Sequence, residues 1–227
     1  MSIRENIERI NSEIGEACAR SGRKTEEVSL IAVCKYVDEQ RISEAFECGL
    51  KKVGENRAQE LSEKLIFYKQ NVCDIHFIGQ LQGNKIKYVC GNADCIQSVD
   101  RLSLAEAIDR FAQKLGIRQD VLIQVNIGRE EQKGGVDGEE LDGFLSRASE
   151  FRFLRICGLM CVPPALYGES VRPYFQRMRE LFERMKAAHP GLPLTELSMG
   201  MSHDYPVAIE EGATMVRVGT AIFGARR

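Results

Sequence analysis

Eight short apolar runs recur along the chain, and longer amphipathic segments separate them. Short strands that alternate with helices form parallel βαβ units, and eight of them predict closure into a (β/α)₈ TIM barrel. An open doubly wound sheet is the alternative, but no Gly-x-Gly-x-x-Gly follows the first run. The runs cover residues 28–35, 51–55, 74–79, 95–99, 120–127, 153–160, 195–199 and 213–219.

An additional helix precedes the first run. Isoleucines and one alanine recur at helical spacing from Ile3 to Ala17, and Ser2 with Glu5 fits a capping box. We therefore predict an extra N-terminal helix over residues 2–20.

Capping signals place the start or the end of other helices. A capping box of Ser103 and Glu106 predicts the start of one helix, which Gly116 should end. The pair Asp137 and Glu140 predicts the start of another.

Composition limits the class of protein. The 227 residues suit a single domain over 1–227, and 44% hydrophobic with 28% charged residues is typical of a soluble globular chain. A net charge of −2 without blocks of like charge argues against nucleic-acid and membrane surfaces. The amphipathic N-terminus lacks a signal peptide, so we expect a cytoplasmic protein. The eight cysteines and three histidines lack metal-site spacing, so we expect neither metal nor disulfides.

Chemistry should gather where barrel strands end. Lys35 ends the first run above an apolar core, which favours the neutral amine that can attack an aldehyde. The alternative is a lysine that only extends to solvent. Asn56 follows the second run and either donates to a ligand or caps the next helix. His76 in the third run is a candidate core histidine.

The loops after the last two runs suggest an anion site. Residues 198–204 and 219–222 combine glycine with hydroxyl side chains and lead into helices, and barrels often bind phosphate there. Arg217 lies among apolar residues, so it needs either a structural acid or a ligand beside the phosphate. An aldehyde-bearing aromatic phosphate would use the amine, the anion site and the guanidinium together.

Several motifs resemble one known family. The segments IAVCKYV, VGENRAQE, HFIGQLQGNK, QVNIGREEQKGG, GLMCVPP, LSMGMSHD and MVRVGTAIFGAR are similar, in order and spacing, to the YggS family of pyridoxal-phosphate homeostasis proteins. The resemblance covers nearly the whole chain and implies the alanine racemase N-terminal domain barrel.

The resemblance also implies roles for individual residues. Lys35 would form the Schiff base with pyridoxal 5′-phosphate, and Arg217 would meet the pyridine nitrogen. Lys133 would be a second lysine near the site. The phosphate would be held by Ser202, Gly219, Thr220 and the Met201 amide, and the ring would be lined by Asn56 and Met160.

An arginine beside the pyridine nitrogen disfavours catalysis. Guanidinium only donates hydrogen bonds, so the ring nitrogen stays unprotonated and the ring is a weak electron sink. Related racemases take a second base, a tyrosine, from another domain, whereas this sequence stops at Arg227. We therefore expect a monomeric protein that buffers or delivers the cofactor, with apo forms of pyridoxal-phosphate enzymes as candidate recipients. A weakly active amino-acid racemase and a cofactor-free Lys35 aldolase are the alternatives.

Overall fold

The computed structural model describes residues 2–130, 132–166 and 168–224, and its strands form a closed parallel barrel in the order β1 to β8. Every predicted apolar run overlaps one strand to within one residue, so the (β/α)₈ barrel is confirmed. The strands are β1 Ser29–Val33, β2 Lys52–Glu55, β3 Asp74–Phe77, β4 Cys95–Val99, β5 Gln119–Val125, β6 Leu154–Cys161, β7 Glu196–Ser198 and β8 Met215–Val218. The first strand pairs with the last, Ile31 opposite Arg217, which closes the ring.

Helices surround the barrel. They are α1 Ile3–Arg20, α2 Glu39–Glu47, α3 Ala58–Gln70, α4 Ile86–Val89, α5 Leu102–Leu115, α6 Leu141–Ala148, α7 Arg172–Ala188, α8 Tyr205–Glu210 and α9 Thr220–Phe223. Short 3₁₀ turns lie at Thr25–Glu27, Gly83–Lys85 and Gly168–Val171. In the part of the chain that is described, no helix combines the length and apolar character needed to cross a membrane.

The predicted N-terminal helix is confirmed as α1. Ser2 caps it, and the reciprocal bond from Glu5 completes the capping box. Its apolar stripe is buried, with Ile10 wholly inaccessible to solvent, and packs against α2, α8 and α9.

The other predicted capping boxes are wrong. The helix α5 begins at Leu102 after Arg101, so Ser103 is already helical and cannot take the extended backbone of an N-cap. The helix α6 begins at Leu141, and the Asp137 carboxylate instead accepts a bond of 2.8 Å from the Glu139 amide in the preceding turn. Gly116 does end α5, in the left-handed conformation with φ of 66°.

Two apolar layers result from this arrangement. A large outer layer fills the space between strands and helices. A small inner cluster lies inside the barrel and contains Ile31, Cys95, Leu122, Met160 and Met215. All eight cysteines carry free thiols, and the described residues contain no group of three or more metal-binding side chains.

Candidate functional site

All the predicted site residues lie at the carboxyl end of the barrel. Lys35 is two residues beyond β1, and Asn56 directly follows β2. Met160 and Arg217 are the second-last residues of β6 and β8. The remaining members follow β7 or β8: Met201, Ser202, Gly219 and Thr220. The barrel thus gathers at one mouth residues that are far apart in the chain.

Lys35 lies in a turn rather than in the strand that the sequence suggested. β1 ends at Val33, Cys34 is fully buried, and Lys35 is half-buried. Burial raises the pKa of the Cys34 thiol far above its ordinary value, so this neighbour is an inert neutral group. Tyr36 then takes a positive φ of 61°, which is uncommon for a residue other than glycine.

The loops after β7 and β8 meet, as the sequence predicted. The Ser202 hydroxyl oxygen accepts from the Gly219 and Ala221 amides, each at 3.3 Å. Bonds of this length are at the weak end of the range, so a stronger acceptor can replace the hydroxyl. Gly219 has little room for a side chain, since an added Cβ would lie 3.2 Å from Cβ of Val33.

The Met201 amide, which was expected to bind the phosphate, has a hydrogen-bond partner within the protein. It donates to the Asp204 carboxylate, a contact within the loop that leads into α8. Burial raises the pKa of Asp204, and the bond from Met201 partly offsets this effect. In this structure the Met201 amide is therefore not a free donor, whereas Ser202 faces the adjoining loop.

Arg217 is almost completely buried and holds neutral partners. Its guanidinium donates to the Ser198 hydroxyl at 2.6 Å and to the Cys161 carbonyl at 2.8 Å. No carboxylate of the described residues lies within 4.0 Å of it in an ion pair. Of the two alternatives, an ion-paired structural acid is absent from the described part of the chain, and the Asp204 carboxylate favours the charged guanidinium only through a longer-range interaction. Donors remain for a ligand, because guanidinium carries five N–H groups.

A buried hydrogen-bond chain extends from Arg217 across the barrel interior. Ser198 receives from Arg217, so it donates its own proton to the Gln97 carbonyl oxygen at 2.7 Å. The Gln97 amide nitrogen lies 3.0 Å from Nδ1 of His76. Because an amide nitrogen only donates, Nδ1 accepts and the His76 proton resides on Nε2. His76 is a satisfied core histidine, and burial lowers its pKa to about 4.

Asn56 does not cap a helix, because α3 has Arg57 at its N-cap. Its side-chain oxygen is buried and has no hydrogen-bond partner among the described residues. Gly79 presses against its backbone, since a Cβ there would lie 2.0 Å from the Asn56 carbonyl oxygen. Buried hydrogen-bond acceptors normally have a partner, so the unpaired Asn56 oxygen at the mouth favours a hydrogen bond from a donor group of a ligand.

Met160 and Lys133 occupy different depths. Met160 is 1% exposed and belongs to the inner apolar cluster, so it forms the floor beneath the mouth. Lys133 lies in the loop after β5, where its ammonium donates to the Pro163 carbonyl at 2.8 Å and pairs with Glu130 at 2.5 Å. Glu131 of the same motif lies outside the described residues.

Sequence reasoning missed two groups at the site. One is the pair Ser198 and Gln97, which look like incidental polar residues within apolar strands. The other is a partly buried cluster on α3, in which Glu60, Lys64 and Tyr68 recur at helical spacing beside the turn that carries Lys35. That polar periodicity was the available signal for the second group.

The fold and this mouth define a class of protein, the barrels of the alanine racemase N-terminal domain. The sequence profile described as "Alanine racemase, N-terminal domain" matches residues 2–227. The chain belongs to the family of pyridoxal phosphate homeostasis proteins. It is 45% identical to the pyridoxal phosphate homeostasis protein of Aquifex aeolicus, over 100% of both chains, and 37% identical to that of Escherichia coli K12, over 99% of this chain and 97% of the relative.

A solved structure agrees with this assignment. PipY of Synechococcus elongatus PCC7942, with PLP bound, superposes with a TM-score of 0.86 at 35% identity, covering 98% of this chain and 100% of PipY. The chain therefore spans the full length of these relatives.

Proposed function

We propose that this protein binds pyridoxal 5′-phosphate as a Schiff base on Lys35 and buffers or delivers it without efficient catalysis. The observation that carries the proposal is that Lys35, the Ser202 junction and the buried Arg217 all lie at the carboxyl ends of adjoining strands, β1, β7 and β8. The names of the relatives and the PLP-bound PipY structure support the same ligand.

The residues at the mouth fit the chemical groups of this cofactor. Ser202, Gly219 and Thr220 would hold the phosphate, because their loops supply hydroxyl groups and amides at a helix start. The orphan oxygen of Asn56 marks a polar position that a ligand donor would satisfy, and Met160 supplies an apolar surface for the ring. The Met201 amide would join the phosphate site only if Asp204 released it.

Arg217 supports a carrier rather than a catalyst. When bound, the cofactor can act as an electron sink, but that chemistry is strongest with a protonated pyridine nitrogen. Arg217 would donate to this nitrogen and keep it unprotonated, because its own protons stay bound at physiological pH. The hydrogen-bond partners of Arg217 are a hydroxyl and a carbonyl, and neither is an acid that could protonate the pyridine nitrogen.

The central experiment detects the covalent link. We expect the purified protein to be yellow and borohydride to bleach it, because hydride adds to the carbon–nitrogen double bond and fixes phosphopyridoxyl on Lys35. Peptide mass spectrometry locates the adduct. Lys35→Ala should lose it and keep weak, phosphate-dependent binding, whereas the exposed Lys85→Ala should label normally. A colourless protein, or an adduct on another lysine, contradicts the proposal.

A second experiment separates carrier from racemase. The cofactor-loaded protein is incubated with L-alanine and with L-serine, and chirality is followed. We expect no efficient racemization, and in parallel we expect the loaded protein to reactivate an apo pyridoxal-phosphate enzyme. Robust racemization would establish the alternative function.

A further inference from the structure

The turn that carries Lys35 is held from outside the barrel by one helix. Lys64 on α3 donates from Nζ to the Cys34 carbonyl at 2.8 Å, and Glu60 on α3 accepts from the Tyr36 amide at 2.9 Å. The Cys34 carbonyl belongs to the peptide group before the Lys35 Cα, and the Tyr36 amide belongs to the one after it. Both peptide groups that flank Lys35 are therefore fixed by side chains of α3.

Fixing two successive peptide groups fixes the direction of the side chain between them. The backbone has only two soft dihedral angles per residue, so φ and ψ of Lys35 follow from the orientation of those two groups. The positive φ of Tyr36 is a conformation that residues other than glycine rarely adopt, so the turn needs external support. The bond from Cys34 to Gly54, at 2.9 Å, holds the turn from the β2 side.

A buried acid holds the ammonium that performs this role. Glu55, the last residue of β2, is inaccessible to solvent and accepts from Lys64 at 2.9 Å and from the Tyr68 hydroxyl at 2.5 Å. Burial raises the pKa of Glu55, and the bonds from Lys64 and Tyr68 act against that rise. Glu60 lies 3.9 Å from the same ammonium. Lys64 is thus bound on several sides and has little freedom to move.

Sequence spacing explains how one helix supplies the whole cluster. Glu60, Lys64 and Tyr68 are four residues apart, so they form one stripe on the face of α3 that packs on β1 and β2. A helix of this kind would ordinarily bury apolar residues along that stripe. A partly buried polar stripe contributes less to stability than an apolar one, which is consistent with a role beyond packing.

We propose that Glu60 and Lys64 are positioning residues that aim the Lys35 amine, acting through the two flanking peptide groups, with Glu55 fixing Lys64. This inference rests on the proposed function, in which the Lys35 nitrogen adds to the cofactor aldehyde and the aldehyde oxygen leaves as water. Its expected consequence is selective: the covalent step depends on the cluster, whereas non-covalent binding at the phosphate loops does not.

The competing interpretation is that the cluster only anchors α3 to the barrel. Both interpretations predict some loss of stability when Lys64 is changed. They differ in the response to pyridoxine 5′-phosphate, which carries the same phosphate and ring but an alcohol in place of the aldehyde. A positioning role changes Schiff base formation and leaves affinity for this analogue unchanged.

The experiment uses the full-length protein, stripped of cofactor. The variants are Lys64→Met, which keeps the apolar stem but removes the ammonium, and Glu60→Met, which removes the acceptor for the Tyr36 amide. The equilibrium and rate of Schiff base formation with pyridoxal 5′-phosphate are followed by visible absorbance, and pyridoxine 5′-phosphate affinity by calorimetry. We expect Schiff base formation to fall about tenfold, the factor that loss of one charged hydrogen bond produces. Analogue affinity should change less than about twofold.

Matched controls and a rescue accompany these variants. Lys69→Met and Glu63→Gln change exposed charges on the same helix and should behave as wild type. Lys64→Arg keeps a donor cation and should recover part of the loss, which also covers the case in which Lys64→Met folds poorly. Equal losses for aldehyde and analogue, or wild-type Schiff base formation in Lys64→Met and Glu60→Met, overturn the inference. A wild-type protein that forms no Schiff base at Lys35 instead overturns the proposed function.

Discussion

The guanidinium of Arg217 is a charged group buried inside the barrel. Burial lowers its pKa, and its hydrogen-bond partners are a hydroxyl and a carbonyl. Removing it deprives the buried Cys161 carbonyl of this donor, and an unsatisfied buried polar group costs about 1–3 kcal/mol. We predict that Arg217→Met lowers the free energy of unfolding of the cofactor-free protein by about 1–3 kcal/mol and also weakens pyridoxal phosphate binding about tenfold. Urea unfolding and cofactor titration measure the two effects.

Arg172 provides the matched control. Its guanidinium lies 2.5–2.6 Å from carboxylates of Glu169, Glu210 and Glu211, so it connects α7 to α8 rather than facing the mouth. Arg172→Met should lower stability by about 1 kcal/mol and leave cofactor affinity unchanged. If Arg217→Met behaved like Arg172→Met, Arg217 would be a structural residue.

His76 predicts a pH dependence of stability. Its pKa is lowered from the ordinary 6.5 to about 4, chiefly by burial; Lys52 acts in the same direction, and Asp74 and Asp120 act in the opposite direction. Between these values the unfolded chain binds a proton at this residue and the folded chain does not. Stability from His76 is therefore complete above pH 6.5 and falls as pH decreases towards 4, by on the order of 3 kcal/mol in all.

Glu55 and Asp204 have raised pKa values, so their contributions to the protein's stability fall as pH rises, opposite to that of His76. A variant is therefore needed to isolate the His76 contribution. His76→Gln should remove the His76 slope from a plot of unfolding free energy against pH. Nuclear magnetic resonance of labelled histidine should place the neutral proton on Nε2. A proton on Nδ1 would contradict the donor-to-acceptor direction of the hydrogen-bond chain that extends from Arg217 to His76.

Among the elements, the strands and the start of α1 were predictable, whereas the starts of α5 and α6 were not. Each strand is a short apolar run because both of its faces are covered, one by the inner cluster and one by helices, and this pattern is legible in the sequence. A helix start depends on the residue at which the backbone of the preceding loop first adopts the helical conformation. Arg101 and Glu140 occupy the N-caps of α5 and α6 without side-chain capping bonds, so residue identity alone could not locate them.

The position of the candidate site at the barrel mouth was predictable, whereas the groups that support it were not. Lys35, Ser202 and Arg217 follow from strand-end position and from the family resemblance. The α3 cluster depends on the packing of Lys64 against the turn after β1, which is a three-dimensional relation. The bond from Met201 to Asp204 likewise depends on the loop backbone around Gly200, whose φ is 93°.

A close approach between two loops gives a prediction at the scale of elements. Gly79 follows β3 and lies against the Asn56 backbone, where an added Cβ would be 2.0 Å from the carbonyl oxygen. We predict that Gly79→Ala costs more than about 2 kcal/mol of stability and displaces Asn56, weakening cofactor binding as well. Gly83→Ala is the control, because no atom lies within 4 Å of its added Cβ, and it should change stability by less than about 0.5 kcal/mol. Equal behaviour of the two variants would refute the steric argument.

At the scale of the whole molecule, α1 connects the site to the rest of the ring. It packs against α2, α8 and α9, which lie beside the first, seventh and eighth strands. The Asn6 side chain donates to the Ile222 carbonyl of α9 at 2.9 Å, in a buried contact. Residues at the start of α9 form the proposed phosphate junction, so α1 supports that junction from behind.

A closed ring should lose its structure as one unit, because an opening between β1 and β8 exposes both the core and the mouth. Ile10 of α1 is 0% exposed, and Ile10→Ala should cost about 2–5 kcal/mol. The exposed Ile66, at 73%, gives a matched Ile66→Ala control that should change stability by less than about 0.5 kcal/mol. In the cofactor-loaded Ile10→Ala protein we expect far-ultraviolet circular dichroism and the visible Schiff base absorbance to be lost at the same urea concentration. Loss of helical signal before the visible absorbance would mean that α1 detaches from a barrel that holds its ligand without it.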